Sequence, residues 1–127
     1  MFSHVMLGAN DVDASKEFYD ATLGALGARA GSVDPKGRAF YMHNGGVFML
    51  SKPLDGQPAC HANGGTVGFA ATSPEMVDAW HTAGLAHGGT AIEDPPGIRE
   101  NAFGALYLAY LRDPAGNKVC AMYRVPK

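Results

Sequence analysis

His4-Val5-Met6-Leu7 and Thr66-Val67-Gly68-Phe69 stand 62 residues apart, and the sequences that follow them keep the same offset. Phe18 then matches Trp80, Leu23 matches Leu85, and Gly27 matches Gly89. After a two-residue slip, Asp34-Pro35-Lys36-Gly37 returns 60 residues later as Asp94-Pro95-Pro96-Gly97. The chain is therefore two copies of one unit, and a pseudo-twofold molecule is expected to carry its chemistry between the copies.

Outward from the first tetrapeptide, residues 2–9 alternate as a strand. Asn10 or Asp11 is placed to cap a helix whose apolar stripe is Phe18, Leu23 and Leu26 with Ala14 and Ala21, ended by Gly24 and Gly27. A short strand is expected near 28–33, before the Asp34–Gly37 turn. Arg38 to His43 and Gly46 to Ser51 flank Asn44-Gly45, the pair that best tolerates the positive φ angles of a two-residue type I′ turn. That turn pairs Phe40 with Met49, Tyr41 with Phe48, Met42 with Val47, and His43 with Gly46. Phe40, Met42, Val47 and Met49 then share one face, an apolar surface with adaptable Met side chains.

Lys52 to Gly65 has no periodicity and is rich in Pro and Gly, so it reads as the connection between copies. The second copy opens with a strand at 66–71. Ser73-Pro74-Glu75 is a helix start, with Ser as cap, Pro in the first turn and Glu at the positive helix end. Met76, Val77, Trp80 and Leu85 are its expected buried face. A strand near 89–93, a loop over 94–103, and strands at 104–112 and 117–124 complete a second βαβββ unit. The expected organisation is a single domain over 1–127, with module one at about 1–52, the linker at about 53–65 and module two at about 66–127.

Composition narrows the partners. Hydrophobic residues make up 46% and charged residues 17%, with net charge −2 and both signs scattered. No basic stripe suits nucleic acid and no polybasic patch suits a membrane. The longest apolar stretch, Phe103 to Leu111, is about half a bilayer-spanning length. The N-terminus starts in strand-like sequence with no leader pattern, and two cysteines make no disulfide framework, so a cytoplasmic protein is expected.

A tandem βαβββ pair with His-Val-x-Leu at its head (His4 to Leu7), Phe18-Tyr19 with Leu23-Gly24, Thr66 to Phe69, and Asp-Pro-x-Gly-Asn near its end (Asp113 to Asn117) resembles the vicinal oxygen chelate superfamily. These are the glyoxalase, bleomycin-resistance and extradiol-dioxygenase-like proteins. The resemblance implies an α+β fold whose modules curl into a partly open barrel, a homodimer, and metal ligands on the first and last strands of each module. His4 matches the first-strand ligand, and its counterpart is Thr66. The last-strand ligand, typically Glu, falls at Cys120, and its counterpart is Met49.

Met49, Thr66 and Cys120 make a poor donor set for the hard or borderline divalent ions such sites use. A metal, if any, would rest on His4. Two classes of function stay open. One is a binding protein with an apolar pocket and a degenerate metal site, completed by a second subunit. The other is a metal-dependent lyase, isomerase or dioxygenase using His4 as ligand, in which a metal stabilises an enediolate-like transition state. The ligand-binding residues expected are His4, Phe40, Met42, Met49, Thr66, Arg99, Tyr107 and Cys120. Arg99 is suited to clamp a carboxylate or phosphate, and Tyr107 to supply a hydroxyl. His4 is the best catalytic candidate. His43, His61, His81 and His87 read as surface or loop residues, and Asp113 as a turn residue.

Overall fold

The Asn44-Gly45 turn closes as its residues dictate, with φ of 49° and 81°. It joins β3 (Ala39–His43) to β4 (Gly46–Ser51) in the expected register, Phe40 opposite Met49 and His43 opposite Gly46. The computed structural model describes residues 1–102 and 104–127. Around this hairpin lie β1 (Val5–Gly8), α1 (Val12–Ala25) and β2 (Ser32–Val33), giving a sheet of order β1-β4-β3-β2 in which β1 runs parallel to β4. Asp11 caps α1 by accepting a hydrogen bond from the Ala14 amide at 3.1 Å. Asn10, the other cap candidate, instead accepts from the Ala59 amide at 2.7 Å and ties down the connection between the copies.

The second copy contains β5 (Val67–Ala70), α2 (Pro74–Ala86), β6 (Thr90–Ala91), β7 (Gly97–Asn101), β8 (Gly104–Arg112) and β9 (Lys118–Arg124). Its sheet has the order β5-β9-β8-β6, with β7 also on β8 and β5 parallel to β9. Ser73 caps α2 through the Met76 amide at 3.2 Å. Since Val5 pairs with Phe48 and Val67 with Val119, Met49 and Cys120 occupy equivalent places in the two copies.

Three expectations need correction. Residues 97–101 form a strand, because β6 covers only the Leu111–Arg112 end of the long β8 and leaves its other end free to pair. The last residue of the expected loop, Phe103, lies outside the described residues. The strand near 28–33 shrinks to two residues. Leu85 is 45% exposed, because Val77, Trp80 and Gly84 form the buried stripe of α2 and Leu85 lies about 100° round the helix from Gly84. In keeping with the expected α+β pair of βαβββ modules, the described strands form two mixed sheets and not a closed barrel.

One apolar core joins the copies. Phe18, Tyr19 and Leu23 of α1 meet Val77 and Trp80 of α2, with Tyr41, Phe48 and Leu50 from the first sheet and Leu111, Val119 and Ala121 from the second. Phe48 and Phe69 pack edge to face across the two sheets, centroids 5.2 Å apart.

The Asp113–Asn117 turn clasps the copies together. Asp113 Oδ1 accepts the amides of Ala115 and Asn117, both at 2.9 Å. Asp113 Oδ2 accepts the Tyr19 hydroxyl at 2.6 Å and the Asn117 side-chain amide at 2.9 Å. The same Asn117 Nδ2 also donates to the Gly8 carbonyl in the first copy, at 2.9 Å. Among the described residues no helix is long and apolar enough to cross a membrane.

Candidate functional site

Strand alternation gives each sheet one face against the helices and one turned away from them. The outer face of the first sheet carries Met6, Phe40, Met42, Val47 and Met49, of which Met42 is 68% and Met6 47% exposed. At the end of this face lies a groove of about 1070 Å³, lined by Met6, Gly8, Ser51, Lys36, Arg38 and Lys52 among others. The outer face of the second sheet has a different character. Leu106, Leu108 and Cys120 are buried in a small cluster, with Tyr110 and Met122 packed against them. Register places Arg99 beside Leu106 and Tyr110 beside Cys120 on this same face.

The four positions matched to metal ligands divide between the sheets. His4 precedes β1 and is exposed, with Nδ1 2.8 Å from the Ser3 hydroxyl. It borders a second cavity, of about 460 Å³, on the helix side between Leu23, Leu26, Phe48 and Phe69, with His43 also on its rim. Met49 lies on the first sheet's outer face, exposed Thr66 precedes β5, and Cys120 lies on the second sheet's outer face. Burial pushes the Cys120 thiol up to about 11, against the lowering charge of Lys118. At neutral pH the metal-free thiol is therefore protonated and a poor nucleophile. Gly68 stands opposite Cys120, where an added Cβ would come within 3.1 Å of the sulfur.

Tyr107, expected in the pocket, lies on the helix side of the second sheet. It pairs with Tyr123 and donates its hydroxyl to Asp78 Oδ1 at 2.8 Å, the bond that leads in raising its pKa. Tyr110 takes the place on the outer face. Its pKa is raised first by burial and then by the neighbouring Cys120 and Glu93, while the Lys118 and Arg99 charges lower it. The Lys118 ammonium sits 4.9 Å from the Tyr110 ring centroid and is ion-paired with Glu93. Glu93 holds this position with a φ of 59°. Lys118 and Glu93 were missed from sequence, although counting back across the 113–117 connection sets Tyr110 opposite Cys120.

The glyoxalase/bleomycin resistance protein/dioxygenase superfamily model matches residues 1–121. The chain belongs to this superfamily. It is 58% identical to a glyoxalase/bleomycin resistance protein from Albidiferax ferrireducens T118, over 98% of this chain and 99% of that one, with a TM-score of 0.94. A family enzyme from Burkholderia phytofirmans PsJN (19% identity, TM-score 0.74, covering 97% of this chain and 98% of that one) shares the fold. So does a lactoylglutathione lyase from Agrobacterium tumefaciens (24% identity, TM-score 0.66, 96% and 92% covered). Comparison with curated proteins returns no match.

Superfamily members often bind divalent metals. The donors at the matched positions of this member do not fit the hard or borderline ions: a thioether and a neutral hydroxyl accompany one imidazole and one thiol, and the four divide between the two sheets. Among the described residues, no three of His, Cys, Asp and Glu gather as a metal-binding group.

Proposed function

We propose that this superfamily member is a small-molecule-binding protein whose ligand lies on the outer sheet faces, with a second copy of the chain covering them. The observation that carries the reading is the chemistry of those faces. They are apolar, with exposed Met6 and Met42 on one sheet and the Leu106–Leu108–Cys120 cluster on the other. At the positions where the superfamily holds His and Glu, this chain holds Met49, Thr66 and Cys120. An apolar lining with a few convergent polar groups is how small-molecule sites are built. Exposed flexible methionines suit a surface that must mould to a ligand or a partner. The ligand-contacting set comprises Phe40, Met42, Met49, Arg99, Tyr110 and Cys120, with His4 and Thr66 at the strand entrances. Catalysis through a metal held by His4 is the less favoured reading, because no carboxylate base stands at the Cys120 position.

Two measurements test this. Light scattering on the eluting protein is expected to give the mass of a dimer, and Met42→Asp to shift it toward the monomer with the fold intact. A monomer at all concentrations removes the second copy from the reading. A thermal-shift panel of neutral and charged aromatic and aliphatic compounds is expected to yield stabilising hits that Met49→Asp abolishes. No hit from any class, together with stoichiometric metal lost on His4→Ala, would replace the binding reading by the metal-dependent one.

A further inference from the structure

Arg99 is a cation set beside the apolar cluster of the second sheet's outer face. Its register beside Leu106 sets it on the outer side of the second sheet, half-buried. The guanidinium folds back along β7, where Nη1 donates to the Gly97 carbonyl at 3.1 Å and Nη2 to the Asp94 carbonyl at 3.0 Å. Those two bonds orient the group and use two of its five N–H donors. Among the described residues no carboxylate lies within 4.0 Å of it.

Its cationic neighbour is different. Lys118 is ion-paired with Glu93 and stacked over Tyr110, so its charge is already balanced. Register also sets Arg112 and Arg124 on this face, Arg112 held toward the Gly116 carbonyl beyond Tyr110 and Arg124 exposed at the strand end, so Arg99 is the half-buried, oriented guanidinium on β7 that borders the floor of Leu106, Leu108 and Met122. The Tyr110 ring forms a wall of that floor, and its hydroxyl makes no hydrogen bond among the described residues. A carboxylate matches a guanidinium in shape and charge, and such a bond is stronger where apolar groups exclude water.

We propose that this face binds small apolar or aromatic carboxylates, with Arg99 as the specificity-determining residue and the Leu106–Leu108–Met122 floor receiving the hydrocarbon part. The inference rests on the binding reading above and names its ligand class. Lys118 serves as a positioning residue for the Tyr110 ring. A cationic ligand is disfavoured on the same ground, since Arg99 would be left facing like charge.

The test compares one skeleton in three charge states: phenylacetate, 2-phenylethanol and 2-phenylethylamine, titrated into the full chain by calorimetry or ligand-observed NMR. Phenylacetate is expected to bind tightest. Arg99→Met is expected to weaken it at least about tenfold, the scale of a lost charge-assisted hydrogen bond, and to leave the alcohol unchanged. Arg99→Lys, which keeps the charge without the fork, is expected to fall between. Should Arg99→Met disturb the 94–97 segment, Arg99→Lys still reports, because its ratio of acid to alcohol affinity is independent of overall loss. Lys118→Met is expected to reduce acid binding less than Arg99→Met does. Equal binding of acid and alcohol in the parent, or a larger loss from Lys118→Met, overturns the proposal while the small-molecule reading stands. No binding of any of the three overturns the proposal as well, and the broader panel then decides the reading beneath it.

Discussion

Cys60 and Cys120 carry the same thiol in opposite settings. Cys60 is exposed on the connection between the copies, whereas Cys120 is buried and its pKa is pushed up to about 11. Only thiolate reacts with disulfide reagents. Ellman titration of the native protein is expected to show one fast thiol, removed by Cys60→Ser, and a second only on unfolding. Two fast thiols would mean that the second sheet's outer face opens readily. The other decisive residue contact is Tyr19 with Asp113. Removing the hydroxyl in Tyr19→Phe leaves a buried carboxylate short of one donor. The expected loss is about 1–3 kcal/mol, read from urea unfolding. Loss below 0.5 kcal/mol, roughly the size of a neutral surface change, would show the clasp to be incidental.

At the scale of elements, the two helices make opposite predictions for the same substitution. Gly84 lies where α2 crosses α1, and a Cβ there would come within 2.2 Å of Leu111 Cδ1 and 3.1 Å of Phe18 Cε2. Leu111 and Phe18 are fully buried and have little room to move. Gly84→Ala is expected to lower Tm, because overpacking of about 1–3 kcal/mol exceeds the gain of about 1 kcal/mol from replacing a helical glycine. Gly24, on α1, has nothing within 4 Å of the added atom. Gly24→Ala is expected to raise Tm, by roughly 0.5–1 kcal/mol of stability. Equal signs for the two would remove the close crossing from the account. Elements were legible in sequence where one residue pair allows one geometry, as with Asn44-Gly45 and Ser73-Pro74. They were not legible where a partner decides. Gly97-Ile98-Arg99-Glu100-Asn101 has the composition of a loop and is a strand because β8 offers it an edge. The same limit applied to the site. The repeat alone equated Met49 with Cys120, but the choice between Tyr107 and Tyr110 depends on strand parity across the 113–117 connection.

For the whole molecule, titration sets the working range. Burial lowers the His81 pKa below its usual 6.5, so the fold holds the neutral ring. Above pH 6.5 this ring is neutral folded or unfolded; as pH falls below that value the unfolded chain takes up the proton first and stability declines. At Asp20 burial pushes the carboxyl up, but hydrogen bonds from Lys16, the Gly31 amide and Tyr41, with the Lys16 charge, outweigh it and hold the pKa below 3.8. That contribution is complete at neutral pH and is lost as pH falls through and below 3.8. Burial first, and then the partner carboxylates Asp113 and Asp20, raise the Tyr19 and Tyr41 pKa values above 10.0, so their contributions are lost as pH rises beyond 10. Thermal unfolding is expected to be most resistant between about pH 7 and 9. His81→Gln is expected to flatten the decline between pH 6.5 and 5, and an unchanged slope would assign that decline elsewhere. The clasp has a further consequence, in the order of events during synthesis. Tyr19 and Asp113 are 94 residues apart, and Gly8 and Asn117 are 109 apart. Closing loops of that length costs entropy before the contacts offset it. A growing chain delivers Gly8 and Tyr19 long before Asp113 and Asn117. Until then the first repeat waits with a free carbonyl and an unpaired phenol, and it is completed only when the second repeat has left the ribosome.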